Sequence, residues 1–197
     1  MIIQNFFRKS LKLSNEKLIL AFVQAAKHEH LKKGCFLIKE GEVQAKMPFL
    51  LTGILRGFRM NEDGQETTDR FICHYGDIAM GSSQLNAPSK ISIEALEDAE
   101  LLVIPVELFM NALTEYPELW QVYVSYLIEA LERHREEKML LRAHSAAARY
   151  QCFLGTYPGL IDQISNKYIA SFLGITPVSL SRIRRQLREE TNIQPRL

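Results

Sequence analysis

Hydrophobic positions along the chain recur first with helical, then with strand, then again with helical spacing, and the changeovers divide it into parts. After Ser14, read as an N-cap, apolar Leu18, Ile19, Phe22 and Val23 fall at helical intervals and predict a helix over 14–30. From Lys33 the pattern breaks into short apolar runs, predicting strands at 35–38, 49–60, 66–72, 91–95 and 101–104. Asp63-Gly64 between the second and third runs is a hairpin signal, and Gly41, Gly53 and Gly76-Asp77 mark other corners. Five short strands joined by tight turns predict an antiparallel roll or barrel. Past Pro105 the helical period returns, with a short helix at 106–112 and a long one from Pro117 to about Arg142. No Gly or further Pro interrupts the latter, so it could reach about 39 Å. Along it Trp120, Val124, Leu127 and Leu131 recur at intervals of four, three and four. That seam is wide enough for one partner helix, which predicts a dimer; packing on the roll is the alternative. Residues 146–155 and 159–164 read as further helical pieces or loops.

The last periodic stretch, 166–185, reads as two short helices around a turn. Ile169, Leu173, Ile175, Leu180 and Ile183 can share a small core, and Ala170 is small where the helices must approach. Gly174 stands where the turn needs a positive φ. Thr176 offers an N-cap hydroxyl, and Pro177 fills the first helical position, where a missing N–H does no harm. Outward on the second helix lie Val178, Ser179, Ser181, Arg182 and Arg185, and four arginines (182, 184, 185 and 188) crowd its exposed face. Such side chains suit base edges and phosphates, so the segment is a candidate helix-turn-helix for double-stranded DNA. An ordinary helical hairpin is the plainer alternative.

Charge supports this reading once it is divided along the chain. The net charge of +1 is unremarkable. Residues 145–197, however, hold seven Lys/Arg against three Asp/Glu, while 1–144 hold seventeen against twenty. Basic charge is thus concentrated at the motif, as contact with phosphate requires. Three cysteines, Cys35, Cys73 and Cys152, stand far apart with no CxxC pair, so no zinc site or disulfide framework is indicated. Buried free thiols in a reducing compartment are expected. No apolar run nears the roughly 18 residues of a membrane span. The opening MIIQNFF is too short for a signal-peptide core and meets Arg8-Lys9 at once, so a cytoplasmic protein is expected.

The order of roll, long helix and helix-turn-helix resembles the Crp/Fnr family of bacterial transcription regulators. The likeness is carried by Lys33-Gly34, Gly41-Glu42, Gly53, Asp63-Gly64 and Gly76-Asp77 in the roll, and by IASFLGITPVSLSRIRRQL at 169–187. The run KYIASFLGITPVSLSRIRR looks especially like the branch common in Bacteroidetes. The resemblance implies an α+β protein: a cyclic-nucleotide-binding-like, jelly-roll-type sensor over 1–143, including the dimerisation helix, then an all-α DNA-binding domain over 144–197. It implies a homodimer on a palindromic operator, with RNA polymerase as a further partner. Arg182 falls where the family reads bases; Lys167, Thr176 and Ser179 would position the backbone, with Arg185 between the two roles.

Two departures shape the rest. Relatives that bind cyclic AMP hold its ribose and phosphate with Gly-Glu and Arg-Ser or Arg-Thr pairs. Here Gly81 is followed by Ser82-Ser83, and Ser89-Lys90-Ile91 replaces the arginine pair. Lys90 supplies a point charge but no bidentate grip, which counts against cyclic AMP. The effector is left unnamed, with Ser82, Ser83, Lys90, His134 and Arg135 as candidate contacts; no cofactor and no metal ligand set stands out. A β-hairpin wing, usual after the recognition helix, is expected to be missing or vestigial. Two other classes stay open: an oligomeric adaptor whose basic helix meets an acidic protein, and a cupin-like enzyme. The latter needs two or three His converging from strands, and His74, read as a turn or half-buried residue, stands alone in the roll.

Overall fold

A computed structural model describes residues 2–143 and 145–193. Two helices, α1 (Ile2–Lys9) and α2 (Glu16–Ala25), precede seven strands: β1 (Lys27–Leu31), β2 (Phe36–Ile38), β3 (Lys46–Thr52), β4 (Leu55–Met60), β5 (Glu66–Ile72), β6 (Ser92–Ala95) and β7 (Ala99–Pro105). Then follow α3 (Val106–Glu115), the long α4 (Pro117–Ala143), α5 (Ala146–Thr156), a 3-10 turn (Leu160–Asp162), α6 (Asn166–Phe172) and α7 (Pro177–Ile193). The chain forms two compact units, one of Met1–Met60 with Asp69–Leu131, the other of Asn61–Thr68 with Glu132–Leu197. The described residues are therefore mixed α+β, with antiparallel sheets first and helices after.

In the first unit, one sheet has the order β1-β7-β3 and the other β2-β6-β4-β5. Between them, Ile38, Leu50, Leu55, Ile72, Ile93, Leu101 and Val103 form the interior of the roll. Residues Leu102 and Ile104, alternating with these on β7, join a second core with Phe7, Leu18, Phe22 and Phe109 of the helices. Strand β7 is apolar without alternation because both of its faces are covered. Arg56 of β4 is fully buried, and its Nη1 lies 2.8 Å from Glu94 Oε1 on β6.

Several expectations need correction. The helix placed over 14–30 is capped by Asn15, whose Oδ1 accepts from Lys17 N and Leu18 N, and it ends at Ala25. The alternating residues Lys27–Leu31 pair with β7 as a strand; its charged Lys-His-Glu-His pattern carried too little apolar signal to show this. The run at 49–60 is two strands, separated where Gly53 takes φ +96°. An alanine Cβ there would stand 2.5 Å from the Asp98 carbonyl oxygen, so the turn excludes larger residues sterically as well as conformationally. Helix α1 was not anticipated; its Phe6 and Phe7 pack edge-on against Phe49.

The cysteines also differ from expectation. Cys35 and Cys152 are exposed and Cys73 is half-buried. Burial, with the Asp77 carboxylate adding to it, pushes the Cys73 thiol up to about 11. At pH 8 it is therefore almost wholly protonated, and the thiolate is the reactive form. Iodoacetamide at that pH is expected to label Cys35 and Cys152 and to spare Cys73 until the protein is unfolded. Peptide mapping checks this, and rapid native labelling of Cys73 would refute it. Neighbouring His74 is exposed rather than half-buried; the backbone N–H groups of both residues donate to Asp77 Oδ2 in a tight turn.

Candidate nucleic-acid interface

The second unit is organised around helices α5, α6 and α7. Ser145 caps α5, its hydroxyl accepting from Ala148 N. Phe153 of this helix and Tyr157, its C-cap, meet Phe172 of α6 in a cluster of rings 5.3 to 5.9 Å apart. Gly159 takes φ +78° and turns the chain into the 3-10 segment. Ser165 then caps α6 by accepting from Lys167 N.

Between α6 and α7, Gly174 has φ +64°, the left-handed conformation anticipated for it. Ile175 N donates to Ala170 O at 3.0 Å and so closes the end of α6. Thr176 caps α7: its carbonyl accepts from Leu180 N and its hydroxyl from Ser179 N at 3.1 Å. Ile169, Ala170, Leu173 and Leu180 are buried, while Ile175 and Ile183 are half-buried at the margin of the shared core. The local geometry is that of a helix-turn-helix.

The outward residues are not equivalent. Val178 (77% exposed), Arg182 and Arg185 face solvent. Ser179 is half-buried, its hydroxyl 2.9 Å from that of Thr176, so it belongs to the cap rather than to the open face. Ser181 is exposed, but its hydroxyl donates back to the Pro177 carbonyl. Arg184, expected on the exposed face, is instead half-buried and donates to Asn166 Oδ1 at 2.7 Å, tying the start of α6 to the middle of α7. Helical phase explains the difference: Arg184 follows Leu180 by four positions, on the side that faces the core. Burial raises the nearby Tyr150 phenol, and the charges of Arg184 and Arg188 pull it partly back. Arg185 Nε lies 3.9 Å from Glu189 Oε1, a loose pair one turn along.

The turn Asn61–Thr68 belongs to this unit too, and sequence reasoning missed its role. Ser171 Oγ of α6 donates to the Glu66 carbonyl at 3.0 Å and accepts from Thr68 N at 2.8 Å. Lys167 Nζ, placed among the backbone-positioning residues, lies 3.7 Å from the Glu66 carboxylate. No local signal announces a pairing between residues about a hundred positions apart.

The effector candidates are divided between the two units. Ser82, Ser83 and Lys90 lie in the first unit, His134 and Arg135 in the second. Ser82 Oγ accepts from Gln84 N, the Ser83 carbonyl accepts from Tyr123 Oη, and Lys90 is exposed. His134 and Arg135 are exposed on α4, within 3.6 Å of Glu137 and 3.8 Å of Glu132 respectively. The Gly81 region is closed on itself: Gly81 N donates to buried Gln44, Gln44 Nε2 donates to Ala79 O, and Arg70 donates to Met80 O. Ser89, also buried, packs where any Gly81 side chain would stand. Among the described residues no group of three or more His, Cys, Asp or Glu is placed to hold a metal ion, and no helix is long and apolar enough to cross a membrane.

Comparison with known proteins gives this arrangement its context. Residues 28–116 match the family described as the cyclic nucleotide-binding domain. The transcriptional activator protein Anr of Pseudomonas protegens is 23% identical over 165 residues, covering 78% of this chain and 67% of that protein. Among solved structures, FixK2 from Bradyrhizobium japonicum superposes with a TM-score of 0.76 at 20% identity, over 84% of this chain and 86% of its own. A protein assigned as a regulator of the Crp/Fnr family from Eubacterium rectale gives 0.74 at 20% identity, over 94% and 88%. With a cyclic nucleotide-binding domain matched at 28–116 and a helix-turn-helix after it, the chain shares the fold of these solved structures and is similar to a curated transcriptional activator.

Proposed function

We propose that the protein acts in the cytoplasm as a homodimer that reads a palindromic operator, one α7 entering the major groove of each half-site. Two such helices would address half-sites about 34 Å, one helical turn, apart. The observation that carries this reading is the open face of α7, where Val178, Arg182 and Arg185 stand exposed on a helix fixed by its Thr176 cap. Arg182 reads guanine through O6 and N7, and Val178 packs on a thymine methyl. Lys167 and Arg185 meet phosphate. Thr176 and Ser179 act by holding the helix start, and Ser181 contributes at most by rotating away from the Pro177 carbonyl. The work of such a protein is binding rather than catalysis.

The roll is proposed to set the competence of the output, and RNA polymerase to be the partner on the promoter. An anionic effector would find exposed Ser83 and Lys90 and half-buried Ser82 on the 81–91 segment. Electrophoretic mobility shift against random and palindromic duplexes tests the DNA reading. A linear fall of log affinity with log salt, and preference for a palindrome, are the expected results. Binding to acidic proteins with no affinity for DNA would instead favour the adaptor reading.

A further inference from the structure

The turn joining β4 to β5, with the first three residues of β5, has the sequence Asn61-Glu62-Asp63-Gly64-Gln65-Glu66-Thr67-Thr68, with three carboxylates and no basic residue. It is folded tightly on itself: Gly64 N donates to Asn61 O, and Gln65 N to Asn61 Oδ1 at 2.7 Å. It is also bonded to α6. The Ser171 hydroxyl sits between the Glu66 carbonyl and the Thr68 N–H, satisfying one acceptor and one donor at once. Thr68 is buried there, while the Glu66 carboxylate keeps partial access to water. That seating places the carboxylate 3.7 Å from Lys167 Nζ, one residue inside the α6 N-terminus.

A lysine ammonium is a compact point charge that can pair with a carboxylate or with a phosphate. From these contacts we infer that Glu66 is an internal competitor for DNA phosphate. It neutralises Lys167 in the free protein and must give it up when the backbone arrives. The inference rests on the DNA-binding reading, and concerns the strength of that binding rather than its sequence. Lys167 is exposed and the Glu66 carboxylate reaches water in part, so the competition is a modest brake and weakens with salt. Because Ser171 holds the turn through backbone atoms of Glu66 and Thr68, Glu66→Gln removes the charge and leaves the seating in place.

The test is fluorescence anisotropy of a labelled random-sequence duplex at low and physiological salt, with the full chain, Glu66→Gln, Lys167→Gln and the double variant. Glu66→Gln is expected to tighten binding about two- to fivefold at low salt. The gain should shrink at higher salt and vanish in the Lys167→Gln background, since the two residues act as one coupled pair. No gain from Glu66→Gln, in a chain that itself binds DNA, overturns the inference and leaves the DNA reading intact. The same gain with and without Lys167 also overturns it, since the carboxylate would then act on DNA by simple repulsion. If no version binds DNA at all, the DNA reading itself falls, and the inference with it.

Discussion

Arg182→Ala is expected to leave the protein folded and to weaken binding to the preferred operator by about 1–3 kcal/mol per half-site, while affinity for random DNA changes little. The side chain is exposed on α7 between exposed Ser181 and half-buried Ile183, two positions past buried Leu180, and its removal opens no core. A bidentate guanidinium on guanine discriminates between base pairs, whereas an arginine on phosphate does not. The two roles separate in a selection experiment. For a base reader, the operator logo loses information at one symmetric pair of positions. If every sequence weakened equally and the salt slope fell by about one, Arg182 would be a phosphate contact and the base-reading role would be wrong. Arg185 is the internal comparison, since its loose pairing with Glu189 suits a backbone role.

How far such roles could be read from sequence depends on how locally each is encoded. The cap at Thr176, the left-handed Gly174 and the buried Leu173 and Leu180 depend on neighbours within one or two turns, and the residue order specifies them. The roll was legible as a set of apolar runs between glycine corners. Strand β1 was not, because its partner is β7, some seventy residues on, and its own exposed residues carry charge. Arg184 shows the same limit on a smaller scale. Counting arginines placed it on the exposed face, but its phase on α7 and the amide of Asn166 drew it inward. The Ser171 contacts are the extreme case, since a serine on a short helix gives no hint that it binds a distant strand turn. Local chemistry was therefore readable at the proposed interface, and the contacts that could tune it were not.

The largest expected effect on operator binding comes from α4. Trp120, Val124, Ile128 and Leu131 are 48%, 42%, 55% and 67% exposed, a stripe of large apolar side chains along one side of the helix. Leu127, expected in the seam, is half-buried, and Ile128 takes its place in the stripe. Intervals of four, four and three keep these residues on one face, as a partner helix requires. Ile128→Glu combined with Leu131→Glu would set like charges against each other across a two-fold seam at no cost to the described core, to which neither residue belongs. Sedimentation or light scattering should then find a monomer. Helix α7 would be untouched, yet operator affinity should fall by about two to three orders of magnitude, because the second half-site is no longer bound at the high effective concentration that dimerisation provides. Affinity for a single half-site should change far less. A double variant that stayed dimeric would move the interface away from α4, and one that became monomeric yet kept full operator affinity would remove the need for paired recognition helices.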